Sequence, residues 1–376
     1  MSKLPYLPSS PEVGKTLLQA GLWAVTNRLF PIPGAGWPDD NPEQFREALI
    51  QRAIREKMIP MLDAFSQAHG SGFGDVTRQL TEVFRIISRE QYIHLRPVLD
   101  DLATRKTPIV LIKGADLDLA VYRKRFPRVM GDIDMLVRPP DVPSVAETFL
   151  RHGFVQGKFD KSLVKVVPLT TAEREEFEEG SIELAEYARL VSVPDLTPFE
   201  KVINKYLAYW RMMALNDTFY LTVGYDVHIH LSLEIDFGDV WTGLRTIDFP
   251  EVGSCLAQGF TDMVWYLAVR FYHELHLNSA FVMRSFLDVL SIIQQYNSDL
   301  DWERVAYIAD KYRMYPALYY TFWHVNEILG EVVPPAIIDA FYPPKAESSR
   351  GHDWGDFIPR FVGEAQVLPI VGSVAK

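Results

Sequence analysis

The run Asp132-Ile-Asp134-Met-Leu-Val137 sets two acidic side chains into an otherwise apolar stretch. Alternate residues of a strand face the same side, so both carboxylates would stand together, about 6–7 Å apart at their Cα atoms. Fixed on a buried strand they repel each other and are costly to desolvate. Two arrangements answer that cost. Asp132 caps a turn and Asp134 faces solvent at a strand start, or a counter-charge is brought to the pair. A divalent cation would serve, since magnesium prefers carboxylate oxygens and often also binds substrate phosphates.

The neighbouring sequence fits a sheet that ends at a ligand. Pro108-Ile-Val-Leu-Ile112 is a short continuous apolar run, the pattern of a buried strand. Lys113-Gly114 follows, then a helix-like stretch from Ala115 to about Arg125. A glycine at such a junction lets the backbone approach a ligand closely, and the helix N-terminus offers N–H groups to phosphate. Lys113 could add a cation. Pro139-Pro140 ends the second run. Residues 141–152 read as a helix, with Asp141 as N-cap, Pro143 in the first turn and Gly153 as the stop. Residues 108–153 thus read strand, helix, strand, helix. A third strand is expected over 220–233, where Asp226, His228 and His230 share one face. Asp226 is either a third carboxylate, acting as general base and metal ligand, or part of an exposed polar face.

Around this segment the spacing is helical. Phe45, Leu49, Ile50, Ala53 and Ile54, then Leu80, Val83, Phe84, Ile87 and Leu95, fall at helical intervals. The breaks are Pro33-Gly34, residues 39–42 and residues 69–72, and Asn41, Pro42 and Gln44 form a helix start. Residues 1–12, with Pro5, Pro8 and Pro11, read as an extended leader. Residues 170–189 and 201–215 are expected as helices, as are 263–275, 281–296, 302–312 and 317–329. The expected organisation is an N-terminal helical region (1–102), a core (103–245) with an insertion at about 155–222, a C-terminal helical region (246–345) and an irregular tail (346–376).

In order and context, "VLIKGADLDLAVYRKRFPRVMGDIDMLV" and the later "YDVHIHLSL" resemble the nucleotidyltransferases of the DNA polymerase β superfamily. The similarity is to the poorly characterised branch called NTP_transf_5. It rests on Lys113-Gly114, Arg128, Asp132-Ile-Asp134-Met-Leu-Val137 and Asp226-Val-His228, with "FLDVLSII" at 286–293 and the Asp301-Trp302 helix start in support. Where the superfamily has Gly-Ser, this chain has Lys-Gly, as that branch does. The resemblance implies an α+β fold: a small mixed sheet with N-terminal and C-terminal helical regions. It implies Mg2+ (or Mn2+) held by Asp132, Asp134 and Asp226, and a nucleoside triphosphate such as ATP bound near Lys113, Gly114, Arg128 and His228. It further implies transfer of a nucleoside monophosphate to an acceptor oxygen, releasing pyrophosphate.

Composition narrows the field. The chain has 376 residues and one cysteine, Cys255, which excludes an internal disulfide or a thiolate-rich metal site. Forty-nine acidic and 38 basic residues give a net charge of −11, against a general nucleic-acid binder. No run reaches the roughly 20 apolar residues of a membrane span, and the N-terminus lacks signal-peptide features, so a soluble cytoplasmic protein is expected. A small molecule, a peptide or a protein side chain is the expected acceptor. His228-Ile-His230 has metal-hydrolase spacing without the barrel pattern such enzymes need. His273-Glu-Leu-His276 is one residue short of a zinc-protease motif. The main alternative is a catalytically silent binding or regulatory module, nucleotide-sensing or antitoxin-like.

Overall fold

The computed structural model describes residues 10–30, 32, 35, 42–70, 74–232, 235, 237–278 and 283–342. The expected leader up to residue 9, the Asn41 cap, the breaks at 33–34, 39–41 and 71–72, and the tail from 346 lie outside the described residues.

The chain begins with helices α1 (Pro11–Thr26), α2 (Pro42–Arg55), α3 (Ile59–His69) and the long α4 (Gly74–Thr104). Strand β1 (Val110–Leu111) leads into α5 (Lys113–Leu117), which continues as a π-type turn, Asp118–Tyr122. Then come β2 (Ile133–Leu136), α6 (Val142–Arg151), β3 (Val155–Asp160), β4 (Lys165–Pro168), α7 (Thr171–Glu178) and β5 (Tyr187–Ser192). Next are α8 (Glu200–Tyr206), β6 (Met212–Leu215), β7 (Thr218–His228), α9 (Phe237–Trp241), β8 (Leu244–Phe249) and β9 (Gly253–Gln258). Five helices follow: α10 (Phe260–Asn278), α11 (Met283–Tyr296), α12 (Trp302–Tyr312), α13 (Tyr315–Leu329) and α14 (Pro335–Ala340). The class is α+β, a mixed sheet with helical N-terminal and C-terminal regions, as expected. Two compact units emerge: Asp75–Gly259, and the described residues of 3–74 together with those of 260–376.

The first unit is built on nine strands in the order β4-β3-β5-β7-β2-β1-β9-β8, with β6 also on β7. β2 runs parallel to β7 and β1 parallel to β9, while the other pairs are antiparallel. The apolar stripe of α4 (Leu80, Val83, Phe84, Ile87, Leu95) is buried, which accounts for its length: a helix holds when one face is packed. Tyr225 of β7 donates its hydroxyl to the Gln91 carbonyl of α4 at 2.7 Å. Phe149 stacks on Tyr187 with ring centroids 4.6 Å apart, and Phe154 meets Tyr225 edge-on at 5.0 Å. Each such ring contributes about 1.5–3 kcal/mol on burial.

Several local expectations give way here. The glutamate-rich stretch from 170 is helical only to Glu178, where Thr170 and Glu173 form a capping box at the start. Gly180, at φ +71°, turns the chain, and Tyr187–Ser192 pairs with β7 as a strand. Residues 201–215 are a helix only to Tyr206 before β6 begins. The stretch 155–222 therefore supplies four whole strands and the start of β7 to the sheet. Residues 244–258, where the C-terminal helical region is expected to begin at 246, form the hairpin β8–β9 through Gly253 at φ +82°. In each case strand pairing, with distant β7 for β5 and across a tight turn for β6 and β8, overrides local propensity.

The second unit is helical. Gly21 of α1 lies so close to Leu287 of α11 and to Met58 that a Cβ there would come within 2.6 Å of Met58 Cε. Glu56, 2% exposed, accepts from the Met283 backbone at 3.1 Å and from Arg52 at 3.0 Å. Asp262, equally buried, pairs with Arg304 at 2.8 Å and accepts from Trp265 Nε1 at 2.9 Å. Asp301 caps α12, accepting from the Arg304 backbone at 2.9 Å. Among the described residues no helix is long and apolar enough to cross a membrane.

Candidate active site

The strand register builds the site. β2 and β7 lie side by side with Asp134 opposite Asp226 and Leu136 opposite His228. Asp132 stands at the entrance to β2, two residues before Asp134 and on the same face. On the other flank β1 pairs with β2, and the Ile112 backbone donates to the Asp134 carbonyl at 3.2 Å. The next residue, Lys113, is therefore set over Asp134.

Lys113 reaches that position by an unusual backbone. It takes φ +52°, the left-handed region that costs a non-glycine residue about 1 kcal/mol or more. Its ammonium, 8% exposed as a residue, donates to Asp134 Oδ1 at 2.6 Å and lies 3.0 Å from His228 Nε2. His228 Nε2 is also 3.0 Å from the same Asp134 oxygen and 3.3 Å from Glu183 Oε2. Among the described residues the buried Nδ1 of His228 has no hydrogen-bond partner.

Gly114 acts differently from the sequence expectation. The left-handed turn belongs to Lys113, while the bare face of Gly114 admits the Arg128 guanidinium: a Cβ there would sit 2.6 Å from Nη1. Arg128 is itself buried, and its backbone N–H donates to Asp118 Oδ1 at 2.8 Å. Asp118 also accepts from the Tyr92 hydroxyl at 2.9 Å, so the segment leading to Asp132 is anchored on a buried carboxylate. Lys113, Gly114 and Arg128 thus form one packed corner beside β2.

Three charged residues here have no counterpart among the sequence candidates. Glu183 forms an isolated bridge with His228. Glu186 and Arg211 make a two-pronged ion pair that lies over Gly224, where any Cβ would collide with Glu186 Oε1. Gly224 is the available signal. A glycine inside a β-favouring run marks a close approach by another group. His230 falls just beyond β7, and His273 lies in α10 of the helical unit; the side chain of His276 is outside the described residues.

The electrostatics are uneven. Burial pushes the Asp134 carboxyl up, but the Lys113 charge and then the His228 contact outweigh it and hold the group well below the usual range. Among the described residues Asp226 has no such contact, and Arg211, whose charge it feels, is tied to Glu186. Burial, then the charges of Asp132, Asp134, Glu186 and Glu183, push its carboxyl up to about 8. Among the described residues no group of three or more His, Cys, Asp or Glu side chains is gathered tightly enough to hold a metal ion. The donor chemistry nonetheless fits a hard divalent cation: carboxylate oxygens on adjacent strands, whose mutual repulsion a divalent charge would relieve.

A family model described as an uncharacterised nucleotidyltransferase, NTP_transf_5, matches residues 42–330. No curated protein and no solved structure matches the chain.

Proposed function

This chain belongs to the NTP_transf_5 family of uncharacterised nucleotidyltransferases, and from that premise we propose that it is a divalent-metal-dependent enzyme moving a nucleoside monophosphate from a nucleoside triphosphate to a hydroxyl or similar nucleophile of a small-molecule, peptide or protein acceptor. The observation that carries the reading is the parallel register of Asp134 with Asp226, beside Asp132. A mutually repelling set of half-buried carboxylates is costly to the fold and is expected where a cation must be held.

Asp132, Asp134 and Asp226 would hold the metal, which supplies charge neutralisation at the phosphates. Lys113 and Arg128, on the β1 side, bind phosphate oxygens. The Gly114 corner fixes where those two cations stand. With a cation offsetting its neighbours' charge, Asp226 would ionise and could take the proton from the acceptor oxygen as the bond to the α-phosphorus forms and the bond to pyrophosphate breaks. His228, gripped by Lys113, Asp134 and Glu183, keeps the Lys113 ammonium oriented. Positioning and charge account for most of the rate in such transfers.

A second reading is supported by the 2.6 Å contact between Lys113 and Asp134, an internal cation already on the carboxylate a metal would need. On that reading the chain is a silent nucleotide-sensing or antitoxin-like module. Calorimetry with each nucleoside triphosphate, with and without Mg2+, on wild type and Asp134→Ala, tests nucleotide binding. Pyrophosphate release with candidate acceptors separates enzyme from sensor. Mg2+-dependent binding lost in the variant, with turnover, is expected. Tight binding with no pyrophosphate from any acceptor favours the sensor, and wild-type turnover in Asp134→Ala refutes the site.

A further inference from the structure

Arg128 lies in a stretch, 127–132, that is neither helix nor strand, so no ladder fixes its place. Its surroundings are nonetheless closely built. The chain leaves α5 through the π-type turn Asp118–Tyr122, where the Arg123 N–H reaches back five residues to the Asp118 carbonyl at 2.7 Å. Such turns are uncommon and often mark functional sites. Here the turn holds Asp118 fully buried, and the segment that follows folds back onto it. Phe126 stacks on Tyr122 with ring centroids 5.5 Å apart. Two residues later the Arg128 N–H donates to Asp118 Oδ1 at 2.8 Å.

The two oxygens of Asp118 divide their partners. Oδ1 accepts from the Arg128 backbone, while Oδ2 accepts from the Tyr92 hydroxyl of α4 at 2.9 Å and from Arg123 at 3.3 Å. Burial pushes this carboxyl up, and the Arg128 N–H, ahead of Tyr92 and Arg123, pulls it partway back. A buried carboxylate is expensive to desolvate, and a neutral side chain of similar size would fill the same space at less cost. The segment 113–122 thus holds Arg128 at two points: its main chain through Asp118 and its guanidinium against the bare face of Gly114.

We infer that Asp118 is a positioning residue for nucleotide binding: it holds the Arg128 main chain so that the guanidinium stands with Lys113 at the phosphate corner. The inference rests on the transferase reading for the role of Arg128, and it extends the site to a residue that acts through another. An arginine on an irregular segment must be ordered to grip a phosphate, and a backbone already fixed lowers that cost. Tyr92 and Arg123 act one step further out, holding Oδ2 so that Oδ1 stays aimed at Arg128.

The test is titration calorimetry of the full chain with inorganic tripolyphosphate in excess Mg2+, a probe of the phosphate corner that is independent of base. Arg128→Ala should weaken binding at least tenfold, and Asp118→Ala about five- to tenfold. Asp118→Asn keeps an acceptor oxygen for the Arg128 N–H and should recover affinity to within about twofold of wild type. Tyr92→Phe leaves Oδ1 on Arg128 and should change affinity by less than about twofold. The deciding arm is the double variant. Acting through Arg128, Asp118→Ala in an Arg128→Ala background costs nothing further, whereas a general loosening of the fold adds its own factor. Asp118→Ser stands in where circular dichroism shows Asp118→Ala unfolded. Additive losses, or wild-type affinity in Asp118→Ala, overturn the positioning role and leave the transferase reading intact. Wild-type affinity in Arg128→Ala, or no tripolyphosphate binding by folded wild type, removes the phosphate corner and the positioning role with it.

Discussion

Replacing Asp226 with asparagine should make this protein more stable, and by an amount that depends on pH. The wild-type carboxyl is held up to about 8 by burial and by the surrounding acids, against 3.8 for the free side chain. In the unfolded chain it loses its proton above about pH 4. In the folded chain it keeps that proton to about pH 8. Between those limits the unfolded state binds fewer protons than the native state, so wild-type stability falls as pH rises. Each factor of ten in proton affinity is worth about 1.4 kcal/mol, so the penalty is about 4 kcal/mol at pH 7 and vanishes near pH 4. An asparagine side chain cannot ionise and escapes it. Urea unfolding followed by tryptophan fluorescence, in EDTA from about pH 4.5 to 8, should show Asp226→Asn and wild type converging in acid and diverging by several kcal/mol at neutrality. A variant no more stable than wild type at neutral pH, or a pH-independent difference, would refute the account of self-repelling carboxylates.

Two further substitutions probe the packing around this chemistry and beyond it. Gly114→Ala places a methyl 2.6 Å from Arg128 Nη1 and should cost about 1–3 kcal/mol in thermal unfolding, with weaker nucleotide binding by calorimetry. In the helical unit, Arg304→Ala leaves the Asp262 carboxylate buried without its cation and should cost about 3–5 kcal/mol in urea unfolding, while Arg304→Lys recovers part of the loss.

The residues legible in the sequence are those whose neighbours betray them. Asp132 and Asp134 stand out because charge is anomalous in an apolar run, and Asp226 because it sits two residues before His228 in a β-favouring stretch. The helices from α10 to α13 are readable from apolar spacing and from caps such as Asp301. The strands β5 and β6 are not, because their glutamate-rich and lysine-flanked surroundings favour helix and only the ladder to β7 makes them strands. Glu183, Glu186 and Arg211 ride on those elements or beside them and arrive at the site through tertiary register, which leaves no local trace except Gly224. Gly114 is conspicuous for one role and serves another, since the guanidinium it accommodates belongs to Arg128, well further along the chain.

The close seat of Leu287 against Gly21 carries a consequence for biosynthesis. Helices α1, α2 and α3 are made early and can pack on one another, yet α11, on which α1 also packs, emerges roughly 260 residues later, after the whole sheet unit. At 5–20 residues per second that is a wait of roughly 10 to 50 s. During it the face of α1 that α11 will cover has no permanent partner, whereas the intervening segment can close its own sheet. The nascent N-terminus is therefore the part of this protein with the greatest need of a holding chaperone, and a truncated product ending near residue 259 would carry a finished sheet unit on a sticky, half-built helical one.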